Sequence, residues 1–176
     1  MQRVPKESYY SPKIEIRESA THGKGTFAKA PIKKGEVVEI WGEYTNGGEY
    51  TDDKEKVEVA RKQGKAVGHW DTDLYSIEDK GGDDGYFINH CCDSNLWFVD
   101  AFTLTARKDI KLGEEVTIDY ALFESEDDYV AIKNCSCSAT NCRHVITGKD
   151  WRMKKVQKMY KHHFVPLINK MIDGSL

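Results

Sequence analysis

The sequence predicts a mostly β chain with short helices, and three observations carry that reading. Apolar residues alternate with polar ones at KIEIR (13–17), at FTLTA (102–106) and through Val116, Ile118 and Tyr120, which is the period of a half-buried strand. Glycines at 35 and 113 turn the chain directly into two of its apolar strands. Helical spacing is limited to a short stretch near 53–63 and to the C-terminal segment. At 176 residues and 39% hydrophobic composition, the chain is long enough for one domain with a real core.

The first strand is expected at Ile14 and Ile16, flanked by charges. It runs into Gly23-Lys24-Gly25-Thr26-Phe27-Ala28, and Gly35 then leads to a second strand from Val37 to Trp41. From Gly42 to Gly85 the chain is acidic and less patterned, twelve acids against six bases, a net of −6. It reads as a solvated insertion with a short helix near 53–63 and a strand at Leu74–Ile77; its acidity would also attract a lysine-rich target. After Tyr120, Glu124, Glu126, Asp127 and Asp128 form a second acidic run. Beyond it, Asp150 is placed to cap an amphipathic helix carrying Met153, Val156, Tyr160 and Phe164 and ending before Pro166. The segment from Lys149 to Lys170 is basic; a docked helix with a wet face accounts for it, and contact with nucleic acid is the second, less favoured use.

Formal net charge is −3, which gives no general attraction to nucleic acid or acidic lipid. No apolar run is long enough to cross a bilayer and MQRVPKESYY lacks a secretory hydrophobic segment, so an intracellular protein is expected, cytoplasmic or chromatin-associated. Five cysteines fall in two groups, Cys91-Cys92 and Cys135, Cys137, Cys142. In a reducing interior such clustering favours a metal over disulfides. Three tail thiolates leave a tetrahedral structural zinc site one ligand short, and His144 stands close enough in sequence to complete it.

Chemistry concentrates between Tyr86 and Tyr120. Tyr86-Phe87-Ile88-Asn89-His90-Cys91-Cys92-Asp93-Ser94-Asn95 and Gly113-Glu114-Glu115-Val116-Thr117-Ile118-Asp119-Tyr120 together resemble the paired motifs of SET-domain protein-lysine methyltransferases. Tyr86, Cys91 and Ser94 depart from the family's Arg, Ser and Pro, whereas the second motif matches without a break. The tail Cys135-x-Cys137-x4-Cys142 is similar to the post-SET pattern. The likeness covers about 13–151, with a SET domain at 13–123 (variable insert 42–85), a post-SET segment at 124–151 and a helical tail at 152–176, as in a small stand-alone form.

This resemblance implies a fold of small antiparallel sheets with a threaded C-terminal segment. It implies transfer of a methyl group from S-adenosylmethionine to a lysine amine of a protein, a histone or another basic DNA-associated protein among the candidates. Tyr120 would orient the amine; Lys24, Gly25, Phe27, Asn89 and His90 would bind the cofactor. Tyr44, Tyr75 and Tyr86 are the candidates for the lysine channel, because Ile40 stands where the family often has a tyrosine, which leaves the number of methyls open. The family also points to Cys92 as the zinc ligand that joins Cys135, Cys137 and Cys142. His90 as general base ranks below a hydrogen-bonding role. A catalytically weak, zinc-stabilised module that binds a lysine-rich protein or nucleic acid is the alternative.

Overall fold

The computed structural model describes residues 3–43, 48–78 and 87–176. The strands are β1 (Tyr9–Tyr10), β2 (Ile14–Glu18), β3 (Lys24–Ala28), β4 (Val37–Ile40) and β5 (Glu49–Thr51). Helix α1 (Lys54–Lys62) precedes β6 (Ala66–Asp71) and β7 (Leu74–Glu78). Then come β8 (Asn89–His90), β9 (Leu96–Phe98), β10 (Thr103–Ala106), β11 (Glu115–Ile118), β12 (Val130–Ile132) and β13 (Ile146–Thr147). Helices α2 (Lys154–Met159) and α3 (Pro166–Asp173) close the chain. No described helix is long and apolar enough to cross a membrane.

The strands form four small sheets, ordered β1-β4-β10-β9, β2-β3-β11-β8, β5-β7-β6 and β12-β13. The mostly β expectation is met. Among the described pairs only β11 with β8 is parallel, setting Thr117 beside Asn89 and Ile118 beside His90. Phe98, Phe102, Leu104 and Leu122 are fully or almost fully buried in the common core. Trp41 and Trp70 meet edge to face at 5.4 Å and join the first sheet to the insertion.

The insertion is more ordered than its acidity suggests. Asp53 caps α1 by accepting the N–H groups of Glu55 and Lys56, while Val57 and Ala60 turn inward. The expected strand at 74–77 is the middle of a three-stranded sheet whose Trp70, Leu74, Tyr75 and Ile77 are buried. Leu74, Tyr75, Ser76 and Ile77 are buried in succession, so this strand is covered on both faces.

The C-terminal expectation needs correction. Asp150 is no helix cap; it is 2% exposed and paired with Arg143. The helix is broken into α2 and α3, because the chain turns through His162 at φ 64° to deliver Phe164 and Val165 to the core. Pro166 starts α3 instead of only ending a helix; at the first helical position its missing N–H costs nothing. Tyr160, 0% exposed, receives the Ser94 N–H at 3.3 Å and bonds the Ser94 hydroxyl at 3.2 Å.

Candidate active site

The parallel β8–β11 pair places the two motifs side by side. Asn89 Nδ2 donates to the carbonyls of His22 (3.3 Å) and Lys24 (3.1 Å) and to Glu115 Oε1 (2.7 Å), so one amide fixes the loop before β3. Gly25 lets these two side chains come close: a Cβ would stand 2.3 Å from Glu115 Oε1 and 2.9 Å from Asn89 Nδ2, so both would have to shift.

His90 is 4% exposed. Its Nδ1 accepts the Tyr120 N–H at 3.2 Å, and its Nε2 lies 3.2 Å from Cys92 Sγ. Accepting at Nδ1 leaves the proton on Nε2, which then donates to the sulfur. Burial holds the imidazole neutral, pulling its pKa down to about 4 although Asp119 lies 3.7 Å away.

β11 ends at Ile118, and Tyr120 opens a 3-10 turn, Tyr120–Leu122. Tyr120 therefore leaves the strand face that the alternation had assigned to it. Asp119 caps this turn through the Ala121 N–H at 3.0 Å. The Tyr120 ring sits edge-on to His90 at 5.1 Å, and its hydroxyl is 3.5 Å from the Ile88 carbonyl. His22, Asn89, His90, Tyr120, Asn134 and Cys135 are among the residues enclosing a cavity of ≈ 330 Å³, a volume suited to a small molecule. Gly25 and Lys24 touch this site through Asn89. Phe27 does not line it; the Arg17 guanidinium covers its ring at 3.9 Å.

Behind the cavity lies sulfur. Ligand atoms of His90, Cys92, Cys135 and Cys137 are all within 4.8 Å of one another. The Cys142 thiol donates to the Cys135 carbonyl at 3.5 Å and to the Cys137 sulfur. Burial opposes ionisation of Cys137, but the N–H groups of Cys92 and Ala139 and the Cys135 and Cys142 thiols bring its pKa down to about 7. Burial pushes Cys92 up, and Cys135 up to about 12. Cys91 stays outside, hydrogen-bonded to the Cys137 carbonyl at 3.9 Å and pushed up to about 11 by burial. His144 is exposed at φ 64° and supplies no atom to the cluster. The gathered donors are three sulfurs and the His90 imidazole, with the Cys142 thiol alongside rather than among the four, and this nitrogen and sulfur chemistry fits zinc.

A second cavity of ≈ 380 Å³ separates β6 from the segment after Tyr120. Trp70 and Phe123 stack at 6.0 Å on its wall, and Phe123 also contacts Tyr120 at 5.4 Å. Glu78 from the insertion and Glu124 and Glu126 from the later acidic run all face it. Burial raises Glu78, and burial with the Glu78 and Glu126 charges raises Glu124 to about 7. Glu126 pairs with Arg61 at 2.5 Å, but no described cation pairs with Glu78 or Glu124. Of the channel candidates, Tyr75 is buried with its ring stacked at 4.3 Å on His69, which lines the second cavity, while Tyr75 itself lines neither cavity; Tyr44 and Tyr86 lie outside the described residues. Sequence reasoning missed Arg143, whose only signal was a lone cation directly after Cys142.

Small sheets, a tyrosine lining a cavity of small-molecule size and a cysteine cluster beside it are what the chain shares with one domain family. Residues 23–121 match the SET domain family, and the chain belongs to it. The chain is 30% identical over 154 residues to the histone-lysine N-methyltransferase ash1 of Drosophila melanogaster, covering 82% of this chain and 7% of that protein. It is 35% identical over 144 residues to the H3 lysine-36 specific histone-lysine N-methyltransferase of Homo sapiens, covering 74% and 5%. The chain thus spans less than a tenth of these relatives. The methyltransferase domain of human SETMAR shares the fold, with a TM-score of 0.55 at 21% identity over 76% of this chain and 57% of that one.

Proposed function

We propose that this chain is a protein-lysine N-methyltransferase that uses S-adenosylmethionine and carries a structural zinc. The observation that carries the proposal is the convergence of Asn89, His90 and Tyr120 on one cavity, within a chain of the SET family. S-adenosylmethionine supplies a methyl group on a sulfonium. Asn89 and the backbone of Lys24 and Gly25 would hold its polar end, Cys135 and Asn134 would cover it, and Tyr120 would point the lysine amine at the methyl carbon. A free lysine has a pKa of about 10.4, so a neutral amine at pH 7 costs roughly 4–5 kcal/mol; a site beside a cation and away from water lowers that cost. Both ring nitrogens of His90 are engaged, which favours a supporting role over that of a base.

Cys92, Cys135, Cys137 and Cys142 would bind the zinc, with His90 donating to the Cys92 sulfur. The uncompensated Glu78 and Glu124 beside Phe123 favour a lysine- or arginine-rich protein segment as substrate, consistent with histones or other chromatin proteins and with action at chromatin. The inactive binding module remains the alternative outcome of the test. Zinc-loaded protein is incubated with labelled S-adenosylmethionine and core histones. Lysine-borne label is expected, and Tyr120→Phe should cut turnover by about 10²-fold, the scale of a lost positioning group. Cofactor binding without transfer in the wild type would support the binding module instead.

A further inference from the structure

Arg143 occupies a position that the reaction as described does not use. Its backbone N–H donates to Cys92 Sγ at 3.3 Å. Its guanidinium forks onto Asp119, Nη1 to Oδ2 at 2.8 Å and Nη2 to Oδ1 at 2.5 Å, and its Nε donates to Asp150 Oδ2 at 2.6 Å. The three side chains are 3%, 0% and 2% exposed. One residue thus touches the cysteine cluster, the carboxylate immediately before Tyr120 and the start of the C-terminal turn.

Buried carboxylates tolerate ionisation only when paired and hydrogen-bonded, and a guanidinium fork fixes the plane of its partner as an ammonium cannot. The Asp119 carboxylate held in that plane is the one that caps the Tyr120–Leu122 turn through Ala121 N–H. Where that carboxylate points decides where the turn begins, and so where the Tyr120 ring stands. Asp150 has a second partner, the Thr147 hydroxyl at 2.8 Å. Asp119 has no other cation among the described side chains.

We propose that Arg143 is a positioning residue for Tyr120: its fork on Asp119 sets the turn that presents the tyrosine, and its N–H on Cys92 makes that setting depend on an assembled cysteine cluster. The inference rests on Tyr120 being the residue that orients the amine. Its structural half can be tested without that assumption.

Amide hydrogen exchange is measured on zinc-loaded wild type, Arg143→Lys and Val156→Ala, beside cofactor affinity, zinc content and turnover on core histones. Arg143→Lys keeps the charge and loses the fork. It should keep its zinc and bind S-adenosylmethionine within threefold of wild type, lose protection at the 120–122 amides and not at β2–β3, and lose about tenfold or more in kcat at unchanged KM, as a displaced reacting group does. Val156→Ala lowers Tm but leaves the fork, so its kcat should stay within threefold. Chelating the metal from wild type should expose the same 120–122 amides.

Unchanged exchange at 120–122 in Arg143→Lys, or a kcat loss no larger than that of Val156→Ala at equal Tm, would overturn the proposal. Should Arg143→Lys fail to fold, chelated wild type still decides: retained protection at 120–122 refutes the dependence on the cluster. Wild type that never transfers methyl, yet shows the exchange pattern, would refute the proposed reaction and leave the positioning intact.

Discussion

Glu124 shows at the residue scale how a site can keep unfavourable chemistry. Its carboxyl is half-buried, faces Glu78 and Glu126, and is raised to about 7. The sign follows from linkage. Below pH 4.5, the ordinary value, the carboxyl is protonated in both states. As pH rises the unfolded chain ionises first, so stability falls until the folded carboxyl also ionises near 7. The accumulated loss by pH 8 is on the order of 2–3 kcal/mol. Glu124→Gln should therefore raise Tm at pH 8 and leave it unchanged near pH 4.5, as read by thermal melts at the two pH values. Equal effects at both would remove the charge argument. The acidity of both segments was legible in the sequence. Their meeting across one cavity was not, because Glu78 and Glu124 are distant in sequence and brought together by tertiary packing, the stacking of Trp70 on Phe123 included.

Elements were legible where apolar residues recur at strand or helix spacing or gather in a short run. β2, β4, α1, β7, β10 and β11 fall where Ile14, Val38, Val57, Leu74, Leu104 and Val116 place them. β9 was missed because Leu96, Trp97 and Phe98 are all apolar: Leu96 and Phe98 are buried, and Trp97 stacks on His163 at 3.4 Å. The break between α2 and α3 was missed because Tyr160 and Phe164 keep helical spacing while serving different partners. Ser94 explains one departure from the family motif: a proline would lack the N–H that meets Tyr160. Tyr160→Phe removes the hydroxyl and strands that N–H in a dry site, which should cost about 1–3 kcal/mol. Denaturant unfolding would show it as a lower midpoint at unchanged slope. A midpoint within error of wild type would mean that the Tyr160 hydroxyl adds nothing to the docking of the tail, leaving it to the burial of Val156, Phe164, Leu167 and Ile168 and to backbone bonds such as Val165 N–H to the Leu122 carbonyl.

Over the whole molecule, the cysteine cluster is where distant stretches of chain are held together. Cys92 follows β8 beside Asn89 and His90, whereas Cys135, Cys137 and Cys142 belong to a tail with little apolar core of its own: β12 and β13 contribute one fully buried residue, Ile146. Binding of a metal by such a segment is folding free energy, since the site does not exist in the unfolded chain. The tail also supplies Asn134 and Cys135 to the cavity around Tyr120, so its order and cofactor binding should rise and fall together. His144→Ala is expected to keep a full equivalent of zinc, because the imidazole is exposed and outside the cluster, while Cys92→Ala should lose most of it. Chelation of wild type should lower Tm and weaken S-adenosylmethionine binding at least tenfold, the scale of a lost supporting contact at a metal site. Metal analysis and calorimetry on the three proteins separate the outcomes. Full zinc in Cys92→Ala would make the tail a self-contained knuckle, and the link between metal and cavity would then run through Cys135, which lines the cavity itself.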